Sequence, residues 1–491
     1  MEKTDQKNKW PILLIVVMST FMATLDSSIV NVALPQMARA MDVDTSQIQL
    51  VVTSYLIVIV GIILIFGKLG DVLGKTRIFS FGIALFTLGS LLCGITNAFP
   101  VLIGARIVQA VGAAATMANN QGIITQVFPA TERGKALGFT GTSVALGSLV
   151  GPGLGGIIVG VSSWQYIFLI NVPVGVVVLF FAIKLLPRSN KKATVRLDVV
   201  GAALFMLSIV PLFVALGQVP SLGFANPLIL TGFIVSILSF VAFILVEQKR
   251  ENPLIPLDIF KNKLFSLSIF CAFITFVGLF CNSIIQPFYL QDVMVYSPEQ
   301  AGLIMMIFPL ILTVLAPVSG HVSDKIGSEL LTFIGLLLIS LGLFLMSTLT
   351  EQSTLMTMVI FIVVLSVGMG LFQSPNNSLI MSTVGRHQLG IAGSINALVR
   401  NMGMVGGIAL ATTLLYGSMS GELGYRVTDY VVGQNGAFIK GMSIVYMTAA
   451  VICFVGAILT LLRLIGKKSR TIDKAVLREN ERRVGQEINP K

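Results

Sequence analysis

The chain has 491 residues, 55% of them hydrophobic and 11% charged, with a mean hydropathy of +0.90. Ordinary soluble domains carry about 25% charged residues, so the composition excludes a soluble globular protein and points to an integral membrane protein. The formal net charge of +11 fits basic loops beside anionic lipid, and nucleic acid is not expected as a partner.

Fourteen apolar segments are each long enough to cross a hydrocarbon core of about 30 Å as a helix. They are expected near 10–34, 48–67, 78–96, 100–120, 134–160, 165–187, 198–217, 227–247, 264–288, 300–320, 330–349, 355–378, 389–416 and 440–463. The first is too long for a cleavable signal and has no small-residue cleavage site after it, so it reads as a retained span. Basic residues crowd the loops of one side, from Lys9 through Lys68, Arg133, Lys191 and Lys249 to the tail after Arg463. The opposite loops hold only Arg39, Arg426 and Lys440. This bias places both termini in the cytoplasm. Cys93, Cys271, Cys281 and Cys453 fall inside spans without CxxC spacing and read as small apolar residues.

Span 1 carries Met18, Met22 and Asp26 four residues apart, on one helical face. Flexible, polarizable thioethers suit varied greasy ligands; a packing stripe is an equally good reading. Asp26, Arg106 in span 4 and Arg400 in span 13 are the charges well inside the apolar spans. Such charges cost about 2.5–3.5 kcal/mol each on insertion scales and mark functional sites by default. At 1.5 Å per residue, Asp26 and Arg106 both lie about 21 Å above the cytoplasmic boundary. Equal depth suits a structural ion pair or a proton-coupling pair, since burial and a neighbouring guanidinium act on a carboxyl in opposite directions.

The stretch GKLGDVLGKTR, residues 67–77, ends in Gly-Lys-Thr like a phosphate-binding loop. That motif needs glycine where Leu69 stands, and it should follow a short strand instead of a long apolar span. Gly67 and Gly74 suit a short, close connection, Asp71 suits a helix N-terminus or a cation, and Lys75 and Arg77 hold the loop on the cytoplasmic side. In span 5, Gly147, Gly151 and Gly155 recur every four residues, with Pro152 and Gly156 beside them. Small residues at this spacing let helices approach closely in lipid, and the proline frees one backbone hydrogen bond and permits a bend.

Residues 320–327, GHVSDKIG, repeat the frame G-x-x-x-D-x-x-G of 67–74 through Gly320, Asp324 and Gly327. The repeat divides the chain into an N-terminal six-helix bundle (1–187), a linker with two inserted spans (188–263), a C-terminal six-helix bundle (264–463) and a cytoplasmic tail (464–491). Gln373 and Asn376 in span 12, with Asn396 and Arg400 in span 13, line a cavity or hydrogen-bond between helices.

LDSSIVNVALP at 25–35, GKLGDVLGKTR, RIVQAVGAA at 106–114, GSLVGPGLGG at 147–156 and WQYIFLINVPVG at 164–175 occur in that order. Together they resemble the signatures of the major facilitator superfamily and, within it, the fourteen-helix drug:proton antiporters. The resemblance implies an all-α membrane fold of two six-helix bundles plus an inserted hairpin, with a mid-membrane cavity exposed alternately to each side. It also implies that the loop after span 2 and its repeat act as a gate and that the span 5 glycines form a bend and seal; the depth-matched charges Asp26 and Arg106 are the expected proton-coupling pair. The expected function is proton-coupled efflux of hydrophobic or amphipathic small molecules. Export of one endogenous metabolite or lipid is the alternative, and a non-transporting sensor or scaffold a weaker one. The expected partners are substrates, protons and membrane lipids, for a monomer in the cell membrane. His321 and His387 are the only histidines, and no carboxylate or cysteine cluster has metal spacing, so neither a metal, a cofactor nor enzyme chemistry is expected.

Overall fold

The structure is a computed structural model that describes residues 9–129, 132–187, 198–250, 253–385 and 388–487. The 188–197 loop, His387 and the side chain of Asp324 lie outside the described residues. Among the described residues, fourteen helices are long and apolar enough to span a membrane. They are α1 (Lys9–Met41), α2 (Thr45–Leu73), α3 (Lys75–Ile95), α4 (Phe99–Val127), α5 (Ala136–Val161), α6 (Tyr166–Leu185) and α7 (Val199–Leu222). They continue as α8 (Pro227–Glu247), α9 (Lys263–Val293), α10 (Pro298–Ser323), α11 (Ser328–Met346), α12 (Leu355–Ser382), α13 (Gly390–Leu423) and α14 (Asn435–Ile465). Helices are the expected outcome for such runs, because hydrocarbon offers the backbone no hydrogen-bond partner and each segment must satisfy its own. The last helix continues to Glu487, beyond the apolar run that ends near 463.

Helices α1–α6 form one bundle and α9–α14 a second, and the same seams recur in both. In the first, a Cβ added to Gly82 would lie 2.8 Å from the Gly112 carbonyl, and one added to Gly89 would lie 2.5 Å from the Gln109 amide. In the second, Gly335 meets the Gly368 carbonyl at 2.8 Å and Gly342 meets the Leu365 amide at 2.8 Å. Likewise Gly147 of α5 packs on the Phe21 carbonyl and the Leu25 amide of α1, as Gly403 of α13 packs on Phe273 and Val277 of α9. These close backbone approaches put the two bundles in residue-by-residue register well beyond the repeated loop.

The hairpin α7–α8 joins the assembly through α7, which packs on α2 of one bundle and α13 of the other. Gly217 of α7 shares a small polar niche with Ser46, Gln49 and Thr53 of α2 and Thr412 of α13. Helix α8 is the outermost element, with only 17% of its most apolar stretch buried.

The α2–α3 loop marks the basic end of the molecule. At the far end the two bundles are tied together. Asn31 donates to Ser283 (2.9 Å), Gln291 donates to the Val32 carbonyl (3.0 Å), and Arg39 pairs with Asp292. Ser46 donates its amide to the Thr428 carbonyl (3.0 Å), Thr45 to Asp429 (3.1 Å), and Thr428 its hydroxyl to Asp44 (2.6 Å). A π-helical last turn, Tyr289–Val293, ends α9 and carries Gln291 and Asp292 to this contact. Glycines complete the closure: a Cβ on Gly302 of α10 would meet the Pro152 carbonyl of α5 at 2.4 Å, and one on Gly156 would meet the Pro298 carbonyl at 2.5 Å.

Candidate functional site

The chemistry concentrates in the first bundle, where α1, α2, α3, α4 and α6 converge on Asp26. This residue is fully buried, and Arg106 is 1% exposed. The Arg106 Nη1 donates to Asp26 Oδ2 at 2.7 Å and to Gln109 Oε1 at 2.6 Å, while its Nε donates to the Val51 carbonyl at 2.9 Å. Asp26 Oδ1 accepts from Gln109 Nε2 (2.8 Å) and Asn171 Nδ2 (3.0 Å), and Gln109 also donates to Ser90 Oγ (2.8 Å). The guanidinium lies 4.2 Å from the Tyr55 ring centroid and 5.5 Å from that of Phe168, where ring faces favour a cation. An ion pair this deep persists only because further hydrogen bonds offset the cost of removing both charges from water.

The equal depth read from the sequence corresponds to a direct pair, and four participants carry no sequence signal as strong as a charge. Gln109 has a weak one, since it sits three residues after Arg106 and so shares its helical face. Ser90, Asn171 and Tyr55 are ordinary polar residues in apolar spans and reveal themselves only through the packing.

The second bundle holds an apolar replica of this site. The shared glycine seams make Gly278 the counterpart of Asp26, Leu343 of Ser90, Ile362 of Arg106 and Leu365 of Gln109. Leu343 and Leu365 are fully buried and Ile362 is 1% exposed. The scaffold therefore does not require the charges, which belong to the first bundle alone.

The other sequence candidates scatter. Met22 is buried in the core, whereas Met18 is half-buried, so the two thioethers do not form one open face. Asn376 is buried and donates to the Ser268 carbonyl of α9 (3.1 Å), which makes it an interhelical tie. Asn396 donates to Asn377 (2.9 Å), joining α13 to α12, and Gln373 is half-buried on α12. Arg400 lies half-buried beside α9, its guanidinium 5.8 Å from the Phe276 ring.

In the loop after α2, Gly74 has φ +100°, a conformation that favours glycine, and its repeat Gly327 has φ +93°. Lys75 pairs with Asp71 one turn away, and Arg77 is exposed. Close packing falls on Gly70 and not on Gly67. A Cβ on Gly70 would sit 1.8 Å from the Asn119 side-chain oxygen, while Gly67 faces open space. The repeat packs at Gly320, whose Cβ would lie 2.8 Å from Ser374 Oγ. In α5, Gly147, Gly151 and Gly155 press against Phe21, Ser28 and Ile29 of α1, while Gly153 and Gly156 face Met306 and Pro298 of α10. Pro152 stands within the helix between these two contacts.

The Major Facilitator Superfamily matches residues 16–408 and 268–484. The riboflavin transporter RibZ of Clostridioides difficile (strain 630) is 35% identical over 92% of this chain and 97% of its own length. The multidrug resistance protein Stp of Mycobacterium tuberculosis (strain CDC 1551 / Oshkosh) is 29% identical over 82% of this chain and 75% of its own. Among solved structures, a bacterial homologue of the human lysosomal transporter Spinster superposes with a TM-score of 0.65 at 16% identity, covering 94% of this chain and 97% of that one. The xylose transporter XylE of E. coli superposes with a TM-score of 0.58 at 13% identity, covering 91% and 97%. With its two bundles, inserted hairpin and family match, the chain is a multi-pass membrane transporter of small molecules and not an enzyme, and it belongs to the major facilitator superfamily.

Proposed function

We propose that the chain exports hydrophobic or amphipathic small molecules from the cell in exchange for protons, with the basic end and both termini in the cytoplasm. The observation that carries this reading is the placement of Asp26, the buried acid whose charge ties α1 to α4 and α6. Protonating Asp26 removes the charge that Arg106 pairs with and loosens α1. Five residues further along the same helix, about 7.5 Å away, Asn31 makes the contact that closes the far end. Proton uptake at Asp26 is thereby linked mechanically to far-end closure, and the glycine seam of α5 against α1 passes the movement to α10.

A second reading, transport of a flavin-like metabolite, is favoured by the 35% identity to RibZ over nearly the full length of both chains. One experiment serves both. The purified protein is reconstituted in vesicles, an inward- or outward-directed pH gradient is imposed, and transport of riboflavin and of a panel of lipophilic compounds is followed. Gradient-dependent movement that disappears in Asp26→Asn supports proton coupling; undiminished gradient-driven transport by that variant overturns it. The substrate that saturates the carrier decides between the two readings.

A further inference from the structure

Arg400, half-buried within α13, differs from the buried Arg106 in having no counter-charge. Among the described residues no carboxylate stands within ion-pair distance of it, whereas Arg106 is held by Asp26. Its Nε is buried without a hydrogen-bond partner. The polar neighbours on its helix are engaged elsewhere: Asn401 donates to the Ala397 carbonyl at 2.7 Å and Asn396 to Asn377. Counting from the start of its helix at Leu389, Arg400 lies about 17 Å from the basic end at 1.5 Å per residue, in the middle of the membrane.

Nothing in the scaffold requires the charge. Arg400 precedes Gly403 by three residues, and Gly403 is the counterpart of Gly147 in the first bundle, so the matching position of α5 is Val144. An apolar residue therefore fills this place in one bundle and an unpaired cation fills it in the other. A charge withdrawn from water with no partner is costly to the fold, and binding an anion offsets that cost. The guanidinium presents a planar fork that matches carboxylate or phosphate oxygens two at a time. Beside it, the Phe276 ring offers an apolar face for the rest of the molecule.

We propose that Arg400 is the anchor for an anionic group on the transported molecule, so that the preferred substrates are amphipathic monoanions, apolar or aromatic bodies bearing one carboxylate or phosphate. This specifies the substrate class of the transporter and rests on the reading that it carries small amphipathic molecules. It does not depend on proton coupling.

The test is binding at equilibrium, without any gradient, to the full chain in lipid nanodiscs, with empty nanodiscs subtracting partition into lipid. The probes are 1-pyrenebutyrate and its methyl ester, with riboflavin 5′-phosphate and riboflavin as a second pair. A charged hydrogen bond of about 1.5–3 kcal/mol corresponds to at least about a 10-fold preference for the anion. The expected result is that preference in one pair or both, lost in Arg400→Gln and partly kept in Arg400→Lys, with ester or riboflavin binding unchanged. Equal binding of anion and neutral partner in both pairs by the unaltered protein overturns the proposal without any variant. So does an Arg400→Gln protein that folds normally and loses anion and neutral partner together. A failure of gradient-driven transport leaves this result standing, so the two readings fail separately.

Discussion

Asn31 and Ser283 occupy the same place in the two bundles and hydrogen-bond to each other, Nδ2 to Oγ at 2.9 Å. Two equivalent residues can pair only where the axis relating the bundles passes between them. The contact therefore lies close to the axis that relates the two bundles, and the neighbouring Arg39–Asp292 pair lies a short way off it.

Breaking the off-axis pair should shift the equilibrium modestly. The Arg39 side chain is 53% exposed, and exposed ion pairs contribute about 0.2–1 kcal/mol. Asp292→Asn should therefore raise the far-end-open population by no more than about 5-fold. Spin labels on the exposed Val432 and Tyr166, one at the far end of each bundle, report the distance distribution; an unchanged or narrowed distribution contradicts the expectation.

A glycine substitution on the same interface should act more strongly. A Cβ on Gly302 meets a backbone oxygen at 2.4 Å, which no side-chain rotation relieves. Gly302→Ala should leave each bundle folded, hold the far end open in the Val432–Tyr166 measurement and cut transport severely. Normal transport with the closed distance retained would show that α5 and α10 separate without consequence.

The buried pair predicts non-additive stability. Removing one member leaves an uncompensated buried charge and costs about 3–5 kcal/mol, whereas replacing both with apolar residues is close to neutral. Arg106→Met should thus unfold at a lower temperature than Asp26→Leu with Arg106→Met combined, although neither should transport. The counterpart of Arg106, the buried Ile362, shows that the scaffold accepts an apolar residue at that position. Thermal unfolding in detergent measures the ranking, and additive losses would refute the pairing.

Three glycines of the α2–α3 connection should separate by mechanism. Gly67→Ala faces open space within a helix and should be neutral or stabilising by about 0.5–1 kcal/mol. Gly70→Ala collides with Asn119, which is buried and donates to the Phe66 and Ala115 carbonyls, and should destabilise. Gly74→Ala should be strained by its φ of +100°. Unfolding temperatures of the three variants give the order directly, and a destabilised Gly67→Ala would contradict it.

Much of the fold was legible because apolar length alone marks a span and a repeated loop marks a duplication. The deeper register lay in the chain too, since Gly82, Gly89 and Gly112 recur as Gly335, Gly342 and Gly368, yet isolated glycines carry no signal until their contacts are known. At the site, depth can be counted along a helix, which is why Asp26 and Arg106 could be matched. Rotation about the helix axis cannot be counted when residues are apolar all round. Asn376 therefore could not be told from a cavity residue, and Asn171 gave no sign of its bond to Asp26.

The confinement of the titratable centre to one bundle has an electrical consequence. With its counterpart reduced to Gly278, Leu343, Ile362 and Leu365, and if Asp26 carries the coupling proton as proposed, one proton would enter per cycle and move a single positive charge inward. If the departing molecule is a monoanion, its exit moves a second unit of charge in the same sense. Each charge is worth about 2.3 kcal/mol per 100 mV, so the membrane voltage would count twice for each molecule exported and the pH difference once. Such a carrier would keep exporting anions at a collapsed pH gradient for as long as the membrane stayed polarised.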